Sequence, residues 1–199
     1  MKKLSLLVLV ATLAFATSCK NDKKENTEME TTETEMVTEE TPMEDEVISI
    51  KKITTELNSK SGSNVTGNVV FTEENGIVSM TAIISGFEPG MHAIHLHETA
   101  DCSSDDGKSS GGHWNPTAEP HGKWGDEAGY HKGDIGNLEA DEKGNATITF
   151  STDQWCIGCN DPIKDIIGKA VIVHKGQDDF ITQPTGDAGA RVSCAGVIE

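Results

Sequence analysis

The stretch "NVTGNVVFTEENGIVSMTAII", residues 64–84, constrains the fold more than any other. Two strand-like runs flank Glu74-Asn75-Gly76, a turn signal that joins antiparallel strands into a hairpin. "GDIGNLEADEKGNATITF" repeats the plan, with Asp141 to Asn145 as its turn, and "GKAVIVHKG" and "ARVSCAGVI" read as two further strands. "NDPIKDIIG" is the one helix-like hint, and it is short. The chain therefore reads as all-β, a Greek-key sandwich or barrel of about eight antiparallel strands with long loops.

The first 18 residues read as a secretory signal peptide. Lys2-Lys3 is the basic start, "LSLLVLVATLAFA" the apolar run, and the small residues Ala16, Thr17 and Ser18 precede Cys19. A cysteine in that place resembles the bacterial lipoprotein signal, in which it is lipidated and becomes the new N-terminus. The apolar run is too short for a lasting transmembrane helix. Residues 20–46 hold 11 acidic residues, three lysines and no aromatic residue. Such a segment cannot bury a core, so 19–46 is expected to be a lipidated cysteine followed by a disordered, self-repelling tether. The expected location is the cell envelope of a bacterium, with the protein lipid-anchored to the membrane through Cys19 on the periplasmic side or at the outer membrane.

That leaves 47–199 as the folded domain, with 22 acidic and 11 basic residues and a formal charge of −11. It lacks the basic footprint of a nucleic-acid binder. An anionic substrate would need a local positive feature to draw it in. With Cys19 set aside, Cys102, Cys156, Cys159 and Cys194 remain, an even count that behind a secretion signal allows disulfides.

The histidines carry the chemistry. In "MHAIHLHE", His95 and His97 are two residues apart, so on a strand both project to one face. Side-by-side neutral imidazoles make poor core residues and good metal ligands. From Thr99 to Lys132 the chain is rich in Gly, Ser, Asp, Pro and His, the composition of a long functional loop, read here as one ordered by metal. His113, His121 and His131 lie in this loop and Asp134 three residues beyond His131, a four-ligand set suited to zinc. His95, His97 and His174 offer an all-nitrogen set suited to copper. The seven histidines are spread over strands and loop rather than bunched in a tract, which argues against an unspecific metal sponge. His92 is read as exposed or hydrogen-bonded, Trp114 as packing that holds the loop, and Met80 and Met91 as core or strand residues.

"HAIHLHE", "GGHWNP", "HKGDIGN", "VIVH" and "GARVSC", in this order, resemble the copper/zinc superoxide dismutase family over residues 64–199. The resemblance implies copper at His95, His97, His113 and His174, and zinc at His113, His121, His131 and Asp134, with His113 bridging the two metals and taking up a proton during turnover. It implies a disulfide between Cys102 and Cys194, a catalytic Arg191 beside the copper, and Thr185 at the channel mouth. Asp178 is implied as the carboxylate that links a copper histidine, His95, to a zinc histidine, His121. The implied reaction is dismutation of superoxide to oxygen and hydrogen peroxide, protecting the cell envelope.

Some features depart from the family pattern. Gly176 to Ala190, "GQDDFITQPTGDAGA", is acidic and holds no lysine. Trp155-Cys156-Ile157-Gly158-Cys159 adds a CxxC, readable as a small disulfide, a redox pair or a soft copper-entry site, with the disulfide favoured. A metal-sequestering protein on the same scaffold is the competing function; it would need the ligands but no Arg191. The oligomeric state stays open, a homodimer included.

Overall fold

The structure, a computed structural model, describes residues 49–199. The signal peptide, the lipidated Cys19 and the tether lie outside the described residues. Eight strands account for the regular structure: β1 Lys51–Ser59, β2 Thr66–Glu74, β3 Ile77–Ser85, β4 Gly90–His97, β5 Gly136–Ala140, β6 Asn145–Thr152, β7 Ala170–His174 and β8 Arg191–Gly196. Among the described residues the sole helix is a single 3-10 turn, Lys108–Ser110, and none is long and apolar enough to cross a membrane.

Every strand pairing is antiparallel, in the order β5-β4-β7-β8-β1-β2-β3-β6. β1 meets β8 over only two pairs, Asn58↔Cys194 and Ser59↔Ser193, so two four-stranded halves join narrowly. β5 and β6 stand at the ends of the order and come into contact, nearly closing a barrel. The halves face each other across a core of Leu57, Val69, Phe71, Met80, Ile84, Ile94 and Leu96, all at most 1% exposed. Burying each large apolar side chain contributes about 1.5–3 kcal/mol, which dominates what holds the halves together.

The hairpin of β2 and β3 forms with full register from Thr66↔Ser85 to Glu74↔Ile77. Asn75 and Gly76 both take positive φ (51° and 75°), the geometry their residue types favour. The second expected hairpin does not form. Asp141 to Asn145 does turn, with the Asp141 N–H donating to the Asn145 carbonyl at 2.9 Å, but β5 pairs with β4 and β6 with β3. The turn is a crossover between the halves: β5 pairs into one sheet and β6 into the other, and both contribute apolar residues to the core between them. "NDPIKDIIG" is not helical: the Asp161 and Asp165 carboxylates accept nearby amides and close turns instead. β1, absent from the sequence reading, alternates weakly, with Ile53 and Leu57 its buried apolar anchors.

Candidate metal centre

Both His95 and His97 on β4 are fully buried, because the loops between β4 and β5 and between β7 and β8 cover the face they share. The first of these loops folds back along β4. Leu96 accepts from the Trp114 N–H (2.8 Å) and donates to the Gly133 carbonyl (2.9 Å), while Gly133 donates to the Trp114 carbonyl (2.9 Å). This braid sets His113 opposite His97 as an isolated bridge. On the other side of β4, a register shift between Val173 and His174 places His174 opposite Arg191 on β8. Such an irregularity re-aims the side chain that follows it.

The result is two adjoining clusters. His95, His97, His113 and His174 can bring one ligand atom each within 4.8 Å of one another, and so can His113, His121, His131 and Asp134. All seven residues are buried, and His113 belongs to both sets. The His113 ring centroid lies 4.0 Å from that of His95 and 5.3 Å from that of His121. Its Nδ1 is 2.8 Å from Asp134 Oδ1, which leaves Nε2 for the other set.

The donor atoms fit a metal. His95 Nδ1, His97 Nε2, His113 Nε2 and His174 Nε2 are all buried with no hydrogen-bond partner, while His121 Nδ1 (3.0 Å) and His131 Nδ1 (3.2 Å) are buried against Asp134. A buried polar atom without a partner costs about 1–3 kcal/mol, and four in one place are not tolerated unless something binds them. The opposite ring nitrogens are satisfied: His97 Nδ1 by the Gly111 carbonyl (3.0 Å), His174 Nδ1 by the Gly189 carbonyl (3.2 Å). His95 Nε2 donates to Asp178 Oδ2 at 2.8 Å and His121 Nε2 to Asp178 Oδ1 at 2.9 Å. Asp178 thus fixes both tautomers and presents Nδ1 of each ring to its cluster.

Asp178 is itself held in place. Asn137 on β5 donates to the Asp178 carbonyl (2.9 Å) and accepts from its N–H (2.8 Å). The Asp178 carboxylate also accepts from the Phe180 N–H at 2.7 Å. Gly186 closes the site from outside with φ +67°, and a Cβ there would overlap the Asp178 carboxylate and the His121 ring. Neither Asn137 nor Gln183, which pairs with the His121 backbone, was singled out in the sequence reading, since an amide binding a backbone leaves no mark in residue spacing.

Burial sets the protonation pattern. It holds His97 and His174 well below the ordinary imidazole value, helped by the neighbouring His113 and His95 respectively. Burial likewise lowers His113 to about 4, outweighing the pull of Asp134. Burial opposes the charged form of His121 too, but there Asp134 and Asp178 prevail and raise it to about 9. Both carboxylates are pushed well below their ordinary values, because their bonds to histidines outweigh burial. Three neutral imidazoles therefore line one cluster, ionised Asp134 anchors the other, and ionised Asp178 ties a histidine of each.

Beside the first cluster, His174, Thr185 and Arg191 line a cavity of about 310 Å³, together with Ser61, Asp106, Lys108, Gly189 and Ala190. The half-buried Arg191 guanidinium donates through Nη1 to the Gly107 carbonyl (2.9 Å) and to Ser110 Oγ (3.1 Å). Burial lowers its pKa from the ordinary arginine value, against the pull of Asp106 and Glu98, and it remains a cation. Lys108 adds a second cation, paired with Asp106 at 3.1 Å.

Cys102 and Cys194 form a disulfide across 92 residues, tying the loop to β8, and Cys156 and Cys159 form a second one. His92 is buried, with Nε2 2.9 Å from the Glu88 carbonyl and its ring stacked on Phe87. Trp114 and Met80 are core residues, and Met91 is partly exposed on β4.

The model of the family described as "Copper/zinc superoxide dismutase (SODC)" matches residues 65–198. A double mutant of a SOD-like protein from Bacillus subtilis is 28% identical, with a TM-score of 0.64, over 73% of this chain and 97% of that one. Another crystal structure of a SOD-like protein from Bacillus subtilis is 26% identical, with a TM-score of 0.65 and the same coverage. The clock protein EA4 is 33% identical, with a TM-score of 0.64, over 74% of this chain and 94% of that one. An antiparallel eight-stranded barrel, two clusters sharing His113 and a family match spanning nearly all of the described residues converge on one conclusion: the chain belongs to the copper/zinc superoxide dismutase family.

Proposed function

We propose that the protein dismutates superoxide to oxygen and hydrogen peroxide, with copper held by His95, His97, His113 and His174 and zinc by His113, His121, His131 and Asp134. The observation that carries this reading is a fixed cation on the wall that also bears a donor of the first cluster: Arg191 and His174 line the same cavity. A protein that only stores metal has no need of that cation.

Bound copper would supply one-electron redox chemistry, and bound zinc, which has no redox change, would order the loop. Arg191 attracts and orients the anion, a local positive feature in a domain of formal charge −11. Gly107 and Ser110 hold the guanidinium in register with the cavity. Thr185 narrows the wall beside it. Asp178 keeps the proton on Nε2 of His95 and of His121 and leaves each Nδ1 free to bind. The Nδ1 of His113 lies on the Asp134 side, so with zinc held there its Nε2 would be the nitrogen left to hold a proton and to supply one of the two that peroxide needs. In this reading the protein sits in the cell envelope, anchored by lipid on Cys19, which the pattern of residues 1–19 supports.

The test is superoxide decay followed by pulse radiolysis with the full chain loaded with copper and zinc, beside an Arg191→Ala variant. Expected is decay near the diffusional ceiling, on the order of 10⁸–10⁹ M⁻¹s⁻¹, falling about tenfold or more in the variant at low salt. Tight metal binding with no accelerated decay would overturn the enzyme reading in favour of sequestration.

A further inference from the structure

Between β6 and β7 the chain carries a sulfur pair that takes no part in the metal centre. Cys156 is buried and Cys159 exposed. Two features distinguish their bond from Cys102–Cys194.

The first is that the turn has a set of hydrogen bonds that do not involve the sulfurs. The Cys156 N–H donates to the Lys164 carbonyl (2.8 Å) and its carbonyl accepts from the Ile166 N–H (3.1 Å). The Ile157 N–H donates to Glu73 Oε2 (2.8 Å) and its carbonyl accepts from Lys51 Nζ (2.7 Å). The Asp165 carboxylate gathers the amides of Gly158 (2.9 Å), Asn160 (2.8 Å) and Ile167 (3.0 Å). Backbone and carboxylate contacts from β1, β2 and the 164–167 segment therefore hold the turn independently of the bridge.

The second is loop length. Cys102–Cys194 spans 92 residues with Cys194 fully buried, whereas Cys156–Cys159 spans three with Cys159 at the surface. In the chain-entropy model stabilisation grows with the logarithm of the closed loop, so the long bridge supports the folded state by about 10²-fold more than the short one. A bond that contributes little to folding is reduced at little cost to the fold.

We propose that Cys156–Cys159 is a redox-active disulfide, which exchanges with an external dithiol while the barrel stays folded. One thiolate of the dithiol attacks the exposed Cys159 Sγ. The S–S bond breaks, and its electron pair passes to Cys156 Sγ, which takes up a proton. The second thiolate of the dithiol then attacks its partner sulfur in the mixed disulfide and releases Cys159, which is protonated in turn. The dithiol loses two electrons and two protons and becomes a disulfide, and the cysteine pair gains both. This exchange is independent of the superoxide reading.

The experiment equilibrates the full chain with graded ratios of reduced to oxidised dithiothreitol, quenches with acid, alkylates with a mass tag and maps the tagged peptides. Cys156 and Cys159 are expected to take the tag at a ratio about 10²-fold lower than Cys102 and Cys194, with the far-ultraviolet dichroism of the sheet unchanged. The proposal falls if the two pairs are tagged together, or if tagging of Cys156 and Cys159 coincides with loss of the sheet signal. A Cys156→Ser, Cys159→Ser double variant gives an independent reading. It is expected to fold and to melt within about 5 °C of the parent; a variant that loses the sheet signal would show the bridge to be structural and overturn the proposal.

Discussion

Gln183 presents its side-chain amide to both backbone groups of His121. The His121 N–H donates to Gln183 Oε1 at 2.8 Å, and Gln183 Nε2 donates to the His121 carbonyl at 2.8 Å. The segment after β7 is thereby latched to the loop after β4 at a residue of the Asp134 cluster, two residues from Thr185 on the cavity wall. Gln183→Ala removes both bonds and should weaken metal binding at that cluster by roughly tenfold or more, the usual effect of losing an outer-shell support. Cobalt(II) titration followed by its visible absorption checks this, and an unchanged affinity would rule the latch out as a positioning device.

His113 is the one residue shared by both clusters. His113→Ala should lower metal content at both, whereas His121→Ala should lower it mainly at the Asp134 cluster. Metal analysis after dialysis, with copper and zinc counted separately, distinguishes the two. Equal losses in the two variants would argue against a shared ligand.

Proton linkage in the metal-free protein follows from the shifts. His113 is lowered from about 6.5 unfolded to about 4 folded, so the folded state binds fewer protons and stability falls as pH drops through that window. His97 and His174 shift in the same direction and add to it. His121 runs the other way: with a folded value raised to about 9, its contribution is fully present below the unfolded value near 6.5 and is lost as pH rises through 9. The metal-free chain should therefore have its highest Tm between these limits, and a monotonic Tm profile from pH 4 to 9 would contradict the assignment. Metal uptake at pH 7 should also release a proton from His121, measurable as a buffer-dependent heat.

The Cys102–Cys194 bridge closes 92 residues. Replacing both cysteines by serine should cost about 4–5 kcal/mol in the chain-entropy model, a fall in Tm of about 10–20 °C. Calorimetry of the metal-free chain reads this directly, and a shift of only a degree or two would remove the bridge from the account of stability.

Much of this was legible in the residues themselves. The Asn75-Gly76 turn announces its hairpin because positive φ is a local property, written in the two residues that must adopt it. The histidines of β4 declare a shared face because alternation along a strand is also local. Residue type and spacing suggested His113, His121, His131 and Asp134 as one set and His95, His97 and His174 as another; the sharing of His113 and the role of Asp178 entered through resemblance, and the folded chain brings these residues together. What no local pattern carries is which strand pairs with which. Asp141 to Asn145 looks like a second hairpin turn, yet β5 and β6 leave it for opposite sheets, because burial against distant partners outweighs the preference of the turn. The supports of the site are tertiary for the same reason. Asn137 meets Asp178 from 41 positions away and Gln183 meets His121 from 62, and each acts on backbone groups that every residue possesses. Their role exists only once the barrel has set the loops side by side.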